Sequence, residues 1–285
     1  MNEVADVLLF VSIALLGVGF FWKDNLCHLV RASGWSLFGI FWWLQIPDYL
    51  ALADPFNAVA SAIALPVMMF FAYHELLSYR WKEEYKPLRF LAGATFLASA
   101  IFFSVDRVPI LAGNLIKIVS DHTVAVLNAL GGNYTSGGIH YPGGFSWYRI
   151  SSEEIYVPIG GADIRIILAC TAIQAFAVAI SFIVSCEAKW KRRGLALGIS
   201  IPVIYLANLL RNVVVIHLYD SNVSFELAHG FVGKMISLLT LVGLVIVLFE
   251  ILPEFYDGIM GSIDLLWRKG PGHEPKDVYQ RLSKN

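Results

Sequence analysis

Long apolar blocks alternate with short polar stretches along most of the chain. Because the apolar core of a bilayer requires about 20 mostly apolar residues per helix, these blocks predict a set of membrane-crossing helices. They lie at roughly 4–22, 34–52, 56–77, 88–105, 165–185, 195–218 and 230–252. The pattern predicts an all-α polytopic membrane protein, with an integral membrane domain over residues 1–255 and a cytoplasmic tail over residues 256–285.

One further segment, residues 107–130, is less regular than the others. It is apolar on one face, but four polar residues interrupt it: Asn114, Lys117, Asp121 and His122. Such a segment either crosses the membrane or lies along its surface as an amphipathic helix. The hydrophobic pattern is therefore compatible with seven or with eight transmembrane helices.

The composition agrees with a membrane protein. Hydrophobic residues make up 57% of the chain and charged residues 15%, whereas soluble domains carry about 25% charged residues. The net charge of −1 gives no indication of a nucleic-acid partner. Three cysteines do not indicate a disulfide framework or a metal cluster, and we predict no cofactor. The N-terminus lacks a basic region before its apolar block, so we interpret it as a first membrane helix rather than a signal peptide.

The basic residues bear on the orientation, because Lys and Arg near the ends of membrane helices favour the cytoplasm. They cluster at Lys23/Arg31, at Arg80/Lys82/Lys86/Arg89, at 189–193 and from Arg268 onward. All four clusters face the cytoplasm if the N-terminus is outside and residues 107–130 do not cross. We therefore favour seven crossings in the cell membrane, with the N-terminus outside and the C-terminus cytoplasmic.

This orientation places residues 131–164 outside the membrane. The segment is rich in Gly and Tyr, and its polar and apolar residues alternate through FSWYRI and EEIYVPI. Alternation of this kind, separated by Gly-Gly turns, predicts short β-hairpins. The expected result is an external cap at about residues 131–164.

Three polar side chains occur at similar depth near the predicted outer ends of three late helices. Cys170 lies about one turn into the predicted helix 165–185, and Gln174 follows four residues later on the same face. Arg211 lies seven residues from the outer end of its helix, which is about 10 Å. Taken alone, Cys170 fits a small core residue, and Arg211 could extend to the interface.

Their coincidence with a histidine favours a site. His229 lies at the outer start of the last helix, and His217 is a second candidate at the end of the helix that carries Arg211. A nearby cation favours a nucleophilic thiolate, a guanidinium can bind an oxyanion, and an imidazole can move a proton. The combination indicates acyl transfer through a thioester.

The motifs ACTAIQ (169–174), NLLRN (208–212) and AHGFVGK (228–234) resemble those of the exosortase/archaeosortase family of membrane transpeptidases, within it the archaeosortase A type. The resemblance covers most of the chain up to about residue 255. It implies that Cys170 is the nucleophile, that Arg211 stabilises charge and that His229 is the third catalytic group. The same motifs contain Thr171, Gln174 and Asn208, which we expect to contact the substrate.

The resemblance also implies a substrate class. The family acts on exported proteins with a C-terminal sorting signal, which is a short motif, a membrane helix and a basic end. Archaeosortase A-like members are associated with a Pro-Gly-Phe motif and with transfer of the protein, such as a surface-layer glycoprotein, to a membrane lipid. The stretch Pro142-Gly-Gly-Phe145 in this chain has an extra glycine and is interpreted as a turn.

Two other functions compete with this interpretation. In a membrane transporter or channel, Arg211 would bind an anion in a central cavity, and inverted repeats with broken helices near the midplane would be expected. The sequence has no paired halves of that kind. In a scaffold protein, the external segment would bind partners, and Cys170 would be dispensable.

Overall fold

The computed structural model describes residues 3–149 and 153–273, and these are mostly helical. The α-helices are α1 (Glu3–Phe21), α2 (Cys27–Leu44), α3 (Ile46–Ala51), α4 (Pro55–Trp81), α5 (Lys86–Arg107), α6 (Pro109–Ala129), α7 (Ile173–Ser185), α8 (Trp190–Asp220), α9 (Lys234–Ile251) and α10 (Pro253–Asp264). A π-helix, Glu226–Gly233, precedes α9, and 3-10 turns span Leu168–Thr171 and Leu265–Trp267. The predicted all-α polytopic class is confirmed, whereas the predicted boundary at residue 255 stays a prediction.

In the described part of the chain, six helices are long and apolar enough to cross a membrane. They are Val4–Phe21, Pro55–Trp81, Lys86–Arg107, Pro109–Ala129, Trp190–Asp220 and Glu226–Ile251. Five of them correspond to predicted crossings. The sixth is α6, so the segment 107–130, which we favoured as a helix that does not cross, forms a continuous helix long and apolar enough to span a membrane. Whether it crosses stays a prediction.

Two predicted crossings have different structures. The segment 34–52 is divided between α2 and α3 at Gln45, and Pro47, which lacks a backbone N–H, lies in the first turn of α3, where that donor is not needed. The segment 165–185 begins as a strand and a 3-10 turn, and α7 has only 13 residues. Its break lies at Ala172, whose backbone is left-handed with φ of 58°.

The chain contacts define two units, of which the first contains residues 1–100, 180–189 and 252–285. In this unit α2 packs against α1 and α4, around a core that includes Leu16 and Trp35. Arg31 is fully buried there, and its Nε lies 2.6 Å from Glu75 Oε1. Arg31 is thus an internal ion-pair partner rather than an interfacial charge, and the orientation of the protein stays a prediction.

The second unit contains residues 101–179 and 190–251. Helix α6 packs against α8 and against a small antiparallel sheet, which is formed by β1 (Thr135–Ser136), β2 (Tyr156–Gly160) and β3 (Ile164–Ile167) in that order. Buried side chains from these elements form one core cluster: Ala112, Ile116, Val124, Leu127, Tyr134, Ile155, Val157, Ile159, Ile166, Leu168, Ile173, Val213 and Ile216.

The sheet confirms one predicted hairpin and corrects the other. Residues 156–159 of the EEIYVPI stretch belong to β2, which pairs with β1 and with β3, and Tyr156 is paired to Ile167 of β3. The other predicted strand, FSWYRI, is irregular over residues 145–149, with a bend at residues 147 and 148, and its last residue, Ile150, lies outside the described residues. Strand β3 leads directly into the 3-10 turn that contains Cys170.

Candidate active site

Cys170 lies in a tight turn rather than inside a helix. The 3-10 turn Leu168–Thr171 connects β3 to α7, and the left-handed Ala172 separates the turn from the helix. The expectation that Cys170 and Gln174 share a helix face is therefore wrong. The Gln174 side chain is exposed, whereas the Cys170 side chain is half-buried. Cys170 packs against the core cluster, so its thiol lies at the edge of that cluster.

Two asparagines hold this turn in place. The side-chain amides of Asn208 and Asn212 both donate to the Cys170 carbonyl, at 2.9 and 3.0 Å. The two residues are one helical turn apart on α8, and both are buried. Their contact fixes the backbone of Cys170 against α8. The expected contact of Asn208 with substrate stays a prediction, because its side-chain amide is engaged with this carbonyl.

Thr171 completes the turn from within. Its hydroxyl donates to the Leu168 carbonyl at 2.7 Å, and the residue is fully buried. The bond satisfies a carbonyl that the following helix does not reach. A substrate contact for Thr171 stays a prediction, since its hydrogen bond to Leu168 serves to close the turn.

Arg211 lies on α8 between the two asparagines. The Arg211 side chain is half-buried, and within the described residues its Nε is buried without a hydrogen-bond partner. The π-helix packs against α8 at this point. A Cβ atom placed on Gly233 would lie 3.3 Å from Arg211 Nε and 3.1 Å from Val215 Cγ2. Glycine at position 233 therefore leaves the space that the guanidinium group occupies.

His229 lies within the π-helix, a rare backbone geometry that is frequent at functional sites. Its half-buried ring stacks on Phe225, with ring centroids 5.0 Å apart and an interplanar angle of 6°. The positive charge of Arg211 interacts electrostatically with the His229 ring. The competing candidate, His217, is exposed near the end of α8. The structure thus brings His229 and Arg211 together through the packing of the π-helix on α8.

The pKa of the Cys170 thiol is subject to opposing effects. Burial raises its pKa above the ordinary value for cysteine, whereas a backbone hydrogen bond at Ile167 and the charge of Arg211 act in the opposite direction. Burial is the largest influence and the net pKa is raised. The thiol is therefore protonated at neutral pH in the free protein, and nucleophilic attack requires a group that accepts its proton.

A possible metal-ligand group lies in the first unit, apart from these residues in sequence. Ligand atoms of Cys27, His28 and Glu84 lie within 4.8 Å of one another. However, Arg31 Nη2 donates to Glu84 Oε1 at 2.8 Å and lies 2.9 Å from His28 Nδ1. A guanidinium cation already balances this group, so its composition does not favour a metal ion.

Sequence reasoning found Cys170, Arg211 and His229, and the structure places all three in the second unit on elements that contact α8 or belong to it. Sequence reasoning did not identify Asn212 and Gly233 as residues of the candidate site. Asn212 had a visible signal, since two amides one turn apart are unusual in an apolar helix. Gly233 had none, because its role depends on the close approach of two segments.

Comparison with known proteins gives one family and two relatives. Residues 4–247 match the transmembrane exosortase family, Exosortase_EpsH. The chain is 25% identical over 213 residues to archaeosortase A of Natronomonas pharaonis, which is 73% of this chain and 65% of that protein. It is 22% identical over 260 residues to archaeosortase A of Haloferax volcanii, which is 79% of this chain and 80% of that protein.

The alignment thus spans slightly less than two thirds of the length of the Natronomonas pharaonis protein. No solved structure matches the chain.

Proposed function

This chain belongs to the transmembrane exosortase family, and we propose that it is a membrane cysteine transpeptidase. Its substrates are exported proteins with a C-terminal sorting signal of the Pro-Gly-Phe type, such as surface-layer glycoproteins. It cleaves the signal at the outer membrane face through a thioester on Cys170 and enables transfer of the protein to a membrane lipid. The names of the two relatives, both archaeosortase A, support this substrate class.

One observation carries the proposal. The carbonyl of Cys170 is bound by the two asparagines that flank Arg211 on α8, so the nucleophile candidate and the guanidinium group share one rigid support. Arg211 also interacts electrostatically with His229. A thiol, a fixed cation and an imidazole gathered in this way have the composition that acyl transfer through a thioester requires.

The proposed reaction has two steps, formation of a thioester and its resolution by an acceptor. In the first, His229 takes the thiol proton while sulfur attacks the scissile carbonyl carbon, and Arg211 neutralises the oxyanion that forms. The C–N bond then breaks, and His229 returns the proton to the departing amine. The products of this step are the released signal and a thioester on Cys170.

In the second step, the acceptor nucleophile gives its proton to His229 and attacks the thioester carbonyl. The C–S bond breaks, the new acyl bond forms, and the thiolate recovers its proton. Arg211 neutralises the second oxyanion in the same way. We assign the role of acceptor to a nucleophilic group of a membrane lipid.

The experiment that tests the proposal is capture of the thioester. The protein, in lipid vesicles, is incubated with a test substrate consisting of a Pro-Gly-Phe motif, an apolar helix and a basic end. Mass spectrometry is expected to find the acyl group on Cys170 and the released signal peptide. Cys170→Ala should abolish both, and continued cleavage by this variant would overturn the proposal.

Cys186 offers a matched control. It is a buried cysteine of the first unit, with Sγ 3.1 Å from the Phe182 carbonyl. Cys186→Ala should cleave the test substrate at the wild-type rate. A loss of activity equal to that of Cys170→Ala would indicate that removal of any thiol damages the protein, and not that Cys170 carries the acyl group.

A further inference from the structure

A cavity of about 330 Å³ lies in the second unit, between the start of α6 and the loop that follows β1. Its walls include Pro109, Tyr141, Gly144, Tyr148, Glu153 and Ile155. Protein pockets that bind small ligands begin at about 300 Å³. The cavity is therefore large enough to receive a side chain and the adjoining backbone of a bound peptide.

The walls of this cavity are fixed by contacts behind them. The Tyr141 ring packs on α6 so closely that a Cβ atom on Gly113 would lie 2.5 Å from its hydroxyl oxygen. Arg149 donates its backbone N–H to the Arg107 carbonyl at 2.8 Å, and its guanidinium lies 3.4 Å from Asp106 Oδ1. These contacts hold Tyr141 and Arg149, two of the cavity walls, against α6 and the end of α5.

Two glycines keep one wall of the cavity open. Gly143 and Gly144 both have left-handed backbones, with φ of 68° and 86°, which favour glycine over other residues. A Cβ atom at either position would have no atom within 4 Å. The absence of side chains there leaves space beside the loop backbone, and a bound peptide could approach it closely.

The sheet places this cavity beside the nucleophile candidate. Ile155 directly precedes Tyr156, which pairs with Ile167 of β3, and β3 leads into the turn that contains Cys170. Ile155 lines the cavity and belongs to the core cluster against which Cys170 packs. Tyr141 likewise lines the cavity and packs against the same core cluster. The cavity and the Cys170 turn therefore border the same core cluster and are joined through the antiparallel pair of β2 and β3.

We infer that this cavity binds the peptide segment next to the scissile bond, with an apolar side chain held between the tyrosine rings and the proline at the start of α6. The cavity presents charges of both signs, from Arg149 and Glu153. The cavity therefore favours a ligand segment without net charge, such as a neutral peptide backbone. This inference rests on the proposed function, which requires a peptide substrate near Cys170.

Filling the cavity tests the inference. Ser146 lines the cavity, and Ser146→Trp should raise KM for the test substrate about tenfold while kcat stays within about twofold. Ser221→Trp is the matched control, because Ser221 is an exposed serine of the same unit outside the cavity walls. Equal KM values for the two variants would overturn the inference. An unchanged rate of Cys170 alkylation in Ser146→Trp verifies that the variant is folded.

A crosslinking experiment separates this inference from the proposed function. A test substrate with a benzophenone side chain next to the scissile bond is irradiated with the Cys170→Ala protein, which cannot cleave it. Crosslinks to residues 141–149 or 153–155 are expected, whereas crosslinks confined to other parts of the chain would overturn the cavity assignment. Failure of the proposed function has a different signature, namely no cleavage by the wild-type protein.

Discussion

The side-chain amide of Asn212 donates to the carbonyl of Cys170 at 3.0 Å, from a helix more than 40 residues further along the chain. Asn208 makes the same bond from one turn away. A single carbonyl with two buried amide donors is a strongly constrained point of the backbone. The position of the Cys170 thiol is thus set by α8, the helix that carries Arg211.

Removal of one of these donors should impair catalysis more than binding. Asn212→Ala breaks one buried hydrogen bond, worth about 1 kcal/mol, and loosens the turn, so kcat should fall about tenfold with little change in KM. Steady-state cleavage of the test substrate measures both. Asn212→Asp keeps the shape but loses the donor, and it should resemble Asn212→Ala. Wild-type kcat in Asn212→Asp would show that the bond does not position Cys170.

Arg211→Lys should lose most of its activity. Lysine keeps the positive charge but not the planar fork that can bind an oxyanion through two N–H groups. We expect kcat to fall about 100-fold, which is typical for loss of one oxyanion donor. Thermal unfolding measures whether the variant remains folded. Near-normal turnover would mean that charge alone is sufficient at position 211.

Gly233→Ala should disturb Arg211 without altering any polar group. The added methyl would lie 3.3 Å from Arg211 Nε and 3.1 Å from Val215 Cγ2, so the guanidinium must shift, and we expect kcat to fall about tenfold. Gly243→Ala on α9 is the control, because a Cβ atom there meets nothing within 4 Å. Equal cleavage rates in the two variants would contradict a role for this close packing.

The reactivity of Cys170 should depend on pH in a defined direction. The thiolate is the charged and reactive form, and burial disfavours it, so the pKa of Cys170 is raised. The rate of alkylation by iodoacetamide should therefore rise through a midpoint above that of an exposed cysteine. Because Arg211 lowers this pKa, Arg211→Gln should move the midpoint to still higher pH. An unchanged midpoint would place Arg211 away from the thiol.

The proposed orientation is tested by sided labelling. With the N-terminus outside, a membrane-impermeant methanethiosulfonate should modify Cys170 when added to the outside of intact cells or right-side-out vesicles. Cys27 and Cys186 should stay unmodified, because the basic clusters place them towards the cytoplasm and both are buried. Mass spectrometry identifies the modified residue, and labelling of Cys170 only from the cytoplasmic face would reverse the topology.

Hydrophobic length predicted the helical class and five of the spans, since that signal depends on local composition alone. It did not predict the break before α7. The run IRIILACTAIQ contains no Gly or Pro, and a buried strand and a buried helix are equally apolar. The left-handed Ala172 results from tertiary contacts of the turn, because alanine has no intrinsic preference for that conformation.

The candidate site was predicted residue by residue but not as an arrangement. Cys170, Arg211 and His229 are visible in the sequence because their chemistry is unusual within apolar segments. The contacts that join them are not visible, since Gly233 acts through the space it leaves and Asn212 acts through a carbonyl distant in sequence. Buried Arg31 shows the same limit, because its ion pair with Glu75 joins two helices.

The π-helix over Glu226–Gly233 has one consequence for the phase of the last helix. Its backbone bonds join residues five apart instead of four, so His229 and the apolar residues of α9 do not follow one continuous 3.6-residue period. Deletion of a single residue between 226 and 233 would restore that period and rotate the imidazole away from α8. In a chain of this family with a shorter turn here, the proton carrier that we propose at His229 would have to come from a different sequence position.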